Sequence, residues 1–413
     1  MSQKYKQYAI KEKKLKHVLN LLNEYVLLSK LSFSSQPAYL YPAMKYYVIA
    51  GEASGDLHGS NLIKELKQLD HSATIQCWGG DLMQKAGATL VKHYRDLAFM
   101  GFAEVIKNLP AIFKNIAFCK QDIIQFAPDV LVLIDYPGFN LRIAQWAKTK
   151  NIKVVYYISP QVWAWKENRV KQMKRCIDKM LVILPFEKDY YQQKWNWQVE
   201  YVGHPLVDVI EQYQQNATTT VTATKPIVAV LPGSRKQEIE VKLPVMLQVA
   251  AHFHNFEFIV AQAPGQDEAF YAPFLAPYQN VSIVKNNTYG LLCSSKAALV
   301  TSGTATLETA LFGVPEVVCY KGSAVSFAIA KQLVKIKYIS LVNLIMDKPV
   351  VKELIQQDMN VTNIITELTA ILTDEHRLQI MKTDYAALKT LLQAGGHASY
   401  KAAKWVFEIA QKS

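Results

Sequence analysis

Residues 44–56 read Met-Lys-Tyr-Tyr-Val-Ile-Ala-Gly-Glu-Ala-Ser-Gly-Asp, an apolar run that ends in a glycine-containing turn. The run predicts a buried first strand, and the residues near 57–69 predict a helix. The same order returns at 227–253, where an apolar run is followed by Pro-Gly-Ser-Arg and a helical pattern. Each of the two stretches therefore predicts the opening strand–turn–helix unit of an α/β domain.

Strand and helix patterns alternate between and beyond these two stretches. Further strands are predicted at 75–78, 129–134, 153–158, 179–184, 199–202, 256–261, 281–284, 297–300 and 316–319. Further helices are predicted at 103–126 with a break at Pro110, and at 140–150, 166–176, 186–194, 235–253, 305–312 and 362–411. This alternation predicts two doubly wound α/β domains with mostly parallel sheets, which face each other across a ligand-binding cleft.

Composition excludes several classes of protein. The chain has 413 residues, of which 50% are hydrophobic and 19% charged, so it has ample apolar side chain for two cores and is not a disordered chain. Its five cysteines are scattered without metal or disulfide spacing, which indicates a reducing compartment. The net charge of +12 indicates an anionic partner, but no nucleic-acid-binding motif is present. No stretch is apolar enough to span a bilayer.

The basic excess is concentrated in residues 1–43, which carry seven lysines and two glutamates and no fold pattern. We expect a poorly structured extension there, and Met44, directly before the first strand, favours a start of translation at that position. The alternative is a genuine basic extension that touches a membrane. Residues 100–114 form an apolar stripe flanked by lysines, which fits either a membrane-surface segment or an ordinary amphipathic helix.

The predicted domains divide at a linker rich in Gln, Thr and Ala, residues 214–226. Residues 44–213 form the first domain, and residues 227–385 form the second. We expect residues 386–413 to be helices that pack back on the first domain.

Two turns of the second domain predict an anion-binding site. In 231–235, Gly233 permits a tight turn, Ser234 can donate a hydrogen bond, and Arg235 can hold a phosphate at a helix start. In 301–308, small and hydroxyl-bearing residues precede a carboxylate that can accept from a ribose: Ser302, Gly303, Thr304, Ala305, Thr306 and Glu308. An ordinary exposed turn and a Ser/Thr helix cap are the structural alternatives. Two such turns in one domain favour a nucleotide site.

The turns of the first domain point to a different substrate. Glu52 and Asp56 would repel a pyrophosphate, so this turn, with Ser54, is expected to hold hydroxyl or amine groups, or else to contain a structural cap. Asp135 ends a buried strand at the cleft and could act as a general base or as a helix cap. The two tryptophans of 159–166 suit a sugar or acyl platform, or the core.

Together the motifs resemble the lipid-A-disaccharide synthase family. The matching segments follow the family's order after Met44: GEASGD (51–56), IDYPGFN (134–140), SPQVWAW (159–165), LPFEK (184–188), VGHP (202–205), LPGSR (231–235), SGTATLE (302–308) and SLVNL (340–344). The resemblance implies a GT-B fold, with two Rossmann-like domains around a deep cleft. It also implies an inverting glycosyltransferase of Gram-negative lipopolysaccharide synthesis, which moves 2,3-diacylglucosamine from UDP to 2,3-diacylglucosamine 1-phosphate and forms a β-1,6 linkage.

The resemblance also implies roles for individual residues. It implies a catalytic group and a UDP-sugar-binding group: Asp135 as the base with Glu52, Asp56 and Arg235, and Gly233, Ser234, Arg235, Ser302, Gly303, Thr304, Ala305, Thr306, Glu308, Lys321 and Asn343. The acceptor side is expected to hold Ser54, Asn140 and Trp163. Lys321 stands where the family often has Arg, and Gly138 where it often has a second Asp. His58 and His204 are alternative bases, although each is better explained as structural.

The implied partners are the two acylated substrates, UDP-2,3-diacylglucosamine and 2,3-diacylglucosamine 1-phosphate, and the inner-membrane surface. We expect a cytoplasmic, peripherally associated enzyme without metal or cofactor and without a nucleic-acid partner, with a homodimer left open. Two alternatives remain at this point. One is another GT-B enzyme, such as a peptidoglycan glucosaminyltransferase or a UDP-sugar epimerase; the other is a non-catalytic lipid-binding scaffold.

Overall fold

The computed structural model describes residues 43–97, 109–216, 220–323, 327 and 336–412. Its strands, in chain order, are β1 (Lys45–Ala50), β2 (Thr74–Gly79), β3 (Thr89–His93), β4 (Val130–Ile134), β5 (Lys153–Tyr157), β6 (Lys179–Val182), β7 (Glu200–Tyr201), β8 (Ile227–Leu231), β9 (Glu257–Gln262), β10 (Val281–Lys285), β11 (Ser295–Val300), β12 (Glu316–Tyr320) and β13 (Lys352–Ile355).

The helices follow in the same way. They are α1 (Ala53–Leu69), α2 (Asp81–Lys85), α3 (Leu109–Phe126), α4 (Pro137–Thr149), α5 (Val162–Trp165), α6 (Arg169–Cys176), α7 (Pro185–Trp195), α8 (Pro205–Asn216), α9 (Lys236–Gln248), α10 (Glu268–Leu275), α11 (Thr288–Ser294), α12 (Thr304–Leu311), α13 (Leu341–Met346), α14 (Val361–Thr373), α15 (Glu375–Gln393) and α16 (Ala398–Ala410). Two 3₁₀ turns, Tyr94–Leu97 and Val249–His252, complete the list.

The strands form two parallel sheets. The first sheet has the order β3-β2-β1-β4-β5-β6-β7, and the second has the order β10-β9-β8-β11-β12-β13. In each sheet the chain moves outward from a central strand and then returns to the other side of it, so the order reverses between β1 and β4 and between β8 and β11. Ligands of doubly wound sheets bind at the carboxyl ends of the strands at such reversal points.

Apolar side chains cover both faces of each sheet, as continuous apolar strands require. On the first sheet, one face packs against α3, α4 and α6, and the other packs against α1 and the final helix, α16. Ala402, Ala403 and Val406 of α16 belong to that second cluster. The larger core of the second sheet also contains Leu206 and Ile210 of α8, the helix that directly follows the last strand of the first sheet.

The α/β fold class predicted from the sequence is confirmed, with two parallel sheets. The sequence did not predict β3, β13 or several short helices, among them α8, α10, α11 and α13. The tail is not helical throughout, because Asp374 separates α14 from α15 and residues 394–397 separate α15 from α16. Residues 1–42 of the predicted N-terminal extension (1–43) and residues 100–108 of the predicted membrane-surface segment (100–114) lie outside the described residues. No helix in the described ranges is long and apolar enough to cross a membrane.

Candidate active site

Both sheets contribute residues to a cavity of about 280 Å³. From the first sheet's side come Ser54, the carboxylate-bearing Asp135 and the indole of Trp165, and from the second sheet's side come Thr304 and Leu341. Thr304 also lines a neighbouring cavity of about 250 Å³ at the carboxyl ends of β8 and β11. The two reversal points of the fold therefore open onto adjoining cavities.

Asp135 is held in an uncommon backbone conformation directly after β4. Its φ angle is 44°, and that of Tyr136 is 48°, so two successive non-glycine residues occupy the left-handed region. Such strain persists only where surrounding contacts hold it, and it concentrates at functional sites. Here the carbonyl of Asp135 accepts from the Tyr156 hydroxyl at 2.5 Å and from the Asn140 amide at 2.8 Å.

The environment of the Asp135 carboxyl favours its protonated form. Burial, followed by the negative charge of Glu52, raises the pKa of this carboxyl from 3.8 to about 7, while the backbone N–H of Tyr136 acts in the opposite direction. A pKa near neutrality suits a general base, because the group accepts a proton readily and still ionises at the working pH. Glu52 itself is exposed at the N-terminus of α1.

Asn140 is fully buried and supports this backbone rather than facing the cavity. Its amide nitrogen donates to the carbonyls of Ile134 at 3.1 Å and Asp135 at 2.8 Å. Gly51, after β1, faces the same strained turn, because a Cβ atom there would collide with the ring of Tyr136. The turns after β1 and β4 therefore pack tightly against each other.

Asp56 has a structural environment. Its carboxylate accepts from the backbone N–H groups of Gly80 at 2.8 Å, Leu82 at 3.1 Å and Met83 at 3.0 Å, and the side chain is 3% exposed. These bonds hold the N-terminus of α2, and Asp56 is not among the described residues that line the cavity. The geometry matches the structural cap that the sequence left as the alternative.

A second buried carboxyl, that of Glu187 in the LPFEK segment, lines the cavity. Glu187 accepts from the indole N–H of Trp163 at 3.1 Å and from the backbone N–H of Leu184 at 3.0 Å. Burial raises its pKa to about 7, and the charge of Asp135 adds to that rise. Trp163, predicted on the acceptor side, donates to Glu187, and Trp165 is the tryptophan that lines this cavity.

His58 and His204 also line the cavity, and both are buried. Burial lowers the pKa of His58 to about 4 and that of His204 to about 3. Both imidazoles are therefore neutral and weakly basic at neutral pH, which makes Asp135 the better candidate for the base.

The neighbouring cavity is formed by the two turns that the sequence predicted to bind an anion, 231–235 and 301–308. Gly233, with a φ angle of 116°, and Ser234 follow β8, and residues 301–305 follow β11. Gly303, with a φ angle of 144°, precedes the first turn of α12. The turn before α9, Glu238 of α9 and the start of α12 therefore line one cavity. A helix start of this kind suits a diphosphate.

Several hydroxyl groups predicted to bind a nucleotide are used within the protein. Ser302 donates to the carbonyl of Ile339 at 2.8 Å, and the buried Thr306 donates to the carbonyl of Gly303 at 2.8 Å. Glu308 lines the cavity, accepts from the Tyr289 hydroxyl at 3.0 Å, and has its pKa raised by burial.

Two further residues predicted on the nucleotide side differ in placement. Asn343 is 1% exposed, and its amide is fully engaged with the backbone of Val351 and the carboxylate of Glu353. It therefore fixes α13 rather than lining the cavity. Lys321 directly follows β12, is partly buried, and is not among the described residues that line either cavity.

A charge network missed by the sequence analysis lies beneath the turn after β8. Arg235 is exposed and lies 3.5 Å from the Glu238 carboxylate, whose other oxygen lies 3.6 Å from the ammonium group of Lys242. Lys242 is 2% exposed and donates to the Thr301 hydroxyl. Burial lowers the pKa of Lys242, while the charge of Glu238 opposes that effect. The i, i+3 and i, i+4 spacing of charges on α9 was the signal available in the sequence.

Among the described residues, no group of three His, Cys, Asp or Glu side chains is arranged to hold a metal ion.

Comparison with solved structures is consistent with this architecture. A UDP-GlcNAc 2-epimerase from Neisseria meningitidis bound to UDP-GlcNAc superimposes with a TM-score of 0.62 at 14% identity, covering 90% of this chain and 100% of that one. The glycotransferase of kitacinnamycin gives a TM-score of 0.63 at 12% identity, covering 89% and 100%. At such low identity these similarities show the fold alone, which is GT-B.

Sequence comparison is more specific. The family model for lipid-A-disaccharide synthetase matches residues 46–410. Proteins named lipid-A-disaccharide synthase from Nitrosococcus oceani and Geobacter metallireducens are 38% and 36% identical to this chain. The first match covers 84% of this chain and 92% of that protein, and the second covers 90% and 98%. The chain belongs to the lipid-A-disaccharide synthase family.

Proposed function

We propose that this glycosyltransferase moves 2,3-diacylglucosamine from its UDP donor to the 6-hydroxyl of 2,3-diacylglucosamine 1-phosphate. The products are a β-1,6-linked disaccharide 1-phosphate and UDP. Membership of the family supports this reaction over an epimerase, a peptidoglycan glucosaminyltransferase or a lipid-binding scaffold. We further propose that residues 44–213 bind the acceptor and residues 227–385 bind the donor, across the adjoining cavities.

Asp135 is the proposed general base. The observation that carries this role is the desolvated carboxyl of Asp135 in a cavity shared with Thr304, which also borders the turns predicted to bind an anion. The ionised carboxylate takes the proton of the acceptor hydroxyl as its oxygen bonds to the anomeric carbon of the donor sugar. The bond from that carbon to the diphosphate breaks at the same time, and a single displacement inverts the configuration.

Negative charge grows on the diphosphate as UDP leaves. The starts of α9 and α12 and the guanidinium of Arg235 supply donors and positive charge for it, and a preorganised arrangement stabilises the transition state more than the ground state. Ser54 and Glu52 stay predicted acceptor-side and catalytic residues. Asn140 is proposed as a positioning residue, because it fixes the backbone of Asp135.

The acylated substrates imply work at the cytoplasmic face of the inner membrane, which we also propose. Peripheral membrane association and a homodimer are tested by vesicle co-sedimentation and by the mass of the purified protein in solution.

The direct test measures UDP release and disaccharide formation with both acylated substrates. Asp135→Asn should lower kcat by about a hundredfold or more, the usual effect of removing a general base. Asp189→Asn, an exposed change on α7, is the matched control and should leave turnover unchanged. UDP release without disaccharide would instead indicate hydrolysis of the donor, and an epimeric UDP-sugar formed without UDP release would indicate an epimerase. Near-normal turnover of Asp135→Asn would exclude the base assignment.

A further inference from the structure

Next to the Asp135 cavity lies a second surface cavity of about 320 Å³, formed by residues 163–169. Trp165 lines both cavities and is 50% exposed, so the two spaces meet at its indole. The polar lining of the second cavity includes Lys166 and Arg169. The proposed function uses neither of these cations.

The charge of Arg169 acts on the neighbouring ammonium of Lys166. Partial burial, and then the charge of Arg169, lower the pKa of Lys166, whose ammonium lies 3.9 Å from the ring centroid of Trp165. In the described part of the chain, neither cation forms an ion pair with a carboxylate. Glu167 lines the same cavity, but its carboxylate contacts the ammonium of Lys194 at 2.5 Å and the Tyr190 hydroxyl at 3.2 Å.

Arg169 is also connected to the reacting end of the cleft. Its positive charge acts on the buried Tyr156, lowering the pKa that burial and Asp135 raise. The hydroxyl of Tyr156 donates to the backbone carbonyl of Asp135. Tyr156 therefore interacts electrostatically with Arg169 and through a hydrogen bond with the backbone of the proposed base.

We propose that Lys166 and Arg169 bind the phosphate monoester of the acceptor, with the sugar ring against Trp165 and its 6-hydroxyl at Asp135. This inference rests on the proposed function and names the substrate group that the second cavity takes. A guanidinium can hold two phosphate oxygens at once, and an adjacent ammonium adds a point charge. A doubly charged phosphate relieves the repulsion between the two cations, whereas a neutral sugar does not.

The test compares the unaltered protein and its variants on two acceptors, one with and one without the phosphate. Initial rates are measured in neutral detergent micelles at saturating donor, with 2,3-diacylglucosamine 1-phosphate or with the same acceptor lacking the phosphate. For Arg169→Met we expect kcat/KM to fall about 10- to 100-fold with the phosphorylated acceptor and less than about 3-fold with the other, as the loss of a charge-assisted hydrogen bond predicts. The KM for the donor should not change.

Controls separate this result from general damage. Arg175→Met removes an exposed arginine from the same helix and should behave as the unaltered protein with both acceptors. Arg169→Lys should recover part of the loss, because it keeps the charge without the planar fork. An equal loss with both acceptors would overturn the proposal. A KM effect on the donor alone would overturn it as well.

Two further experiments ask whether the phosphate belongs to the acceptor or to a lipid headgroup, and whether phosphate binding can be tested apart from the transfer reaction. If Arg169→Met reduces binding to phosphatidylglycerol vesicles but leaves kcat/KM in micelles unchanged, the cations serve the membrane and the inference is wrong. Calorimetric titration with glucosamine 1-phosphate measures the site without turnover. Binding lost in Arg169→Met supports the inference even if transfer fails, and unchanged binding overturns it even if transfer succeeds.

Discussion

The strongest consequence of the structure concerns the pH dependence of the proposed base. Asp135 must be ionised to accept a proton, so kcat/KM, which reports groups of the free enzyme, should rise with pH through the pKa of its carboxyl, which is about 7. The negative charge of Glu52 is the second cause that raises this pKa, after burial. Replacing Glu52 with Gln removes that charge and keeps the shape. The ascending limb of the profile should therefore move to lower pH.

The order of the causes that raise the pKa of Asp135 limits how far the midpoint can move when the charge of Glu52 is removed. The pKa of Asp135 rises from 3.8 to about 7, and burial accounts for more of the rise than Glu52 does. Glu52 is exposed, so solvent screens its charge. We expect the midpoint in Glu52→Gln to fall by about one pH unit, which corresponds to roughly 1.4 kcal/mol of interaction between the two carboxylates.

The assay is kcat/KM against pH from 5 to 9, with the ascending limb assigned to Asp135 by its absence in Asp135→Asn. Glu65→Gln, a change of the same kind on α1, is the matched control, because Glu65 does not act on the pKa of Asp135. A midpoint that stays in place, or moves to higher pH, would refute the electrostatic link between Glu52 and Asp135. A limb that persists in Asp135→Asn would show that another group titrates.

Three further predictions use other contacts of the site. Arg235→Ala should lower kcat by about tenfold or more and leave the thermal transition unchanged, because the side chain is exposed. Arg235→Lys should recover part of the lost activity. Full activity in both variants would show that Arg235 does not stabilise the diphosphate. Asn140→Ala removes the amide that holds the carbonyl of Asp135, so kcat should fall more than KM changes, with unfolding free energy reduced by about 1–3 kcal/mol; a change in KM alone would contradict this positioning role. Asp56→Asn should lower the unfolding free energy, measured by urea denaturation, by about 2–3 kcal/mol. The kcat of the folded variant should fall less than that of Asp135→Asn. A larger fall in kcat than in Asp135→Asn would indicate that Asp56 takes part in catalysis.

The sequence predicted the two doubly wound units and the turns at their centres because those features are local. An apolar run followed by a glycine-containing turn and a helical pattern occupies about twenty residues, as in 227–248. By contrast, β13 (Lys352–Ile355) carries the charged residues Lys352 and Glu353 and joins the sheet through its pairing with β12. The local sequence does not predict such an edge strand, because the strand forms only through its pairing with a neighbouring strand.

The same distinction explains which site residues kept their expected environment. Asp135 follows a strand whose five residues are all buried, so its place at the cleft could be deduced from the chain itself. The roles of Asp56 and Asn343 depend on contacts that form only when the chain is packed, with the N-terminus of α2 and with the Val351 backbone. A side chain that caps a helix and one that binds a substrate have the same sequence pattern, and only the packed structure separates them.

Ionisable side chains lie on both sides of the cleft, and some of them match the charge that the proposed reaction moves. Carboxyls with raised pKa, Asp135 and Glu187, lie on the first sheet's side, and cations gather below the turn after β8 on the second. A proton leaving the acceptor hydroxyl is drawn toward the carboxyl side, while the electrons of the breaking bond pass to the diphosphate on the cationic side. Glu238 balances Arg235 and the buried Lys242. Because Glu238 lines this cavity and contacts both cations, a diphosphate that binds there competes with Glu238 for them.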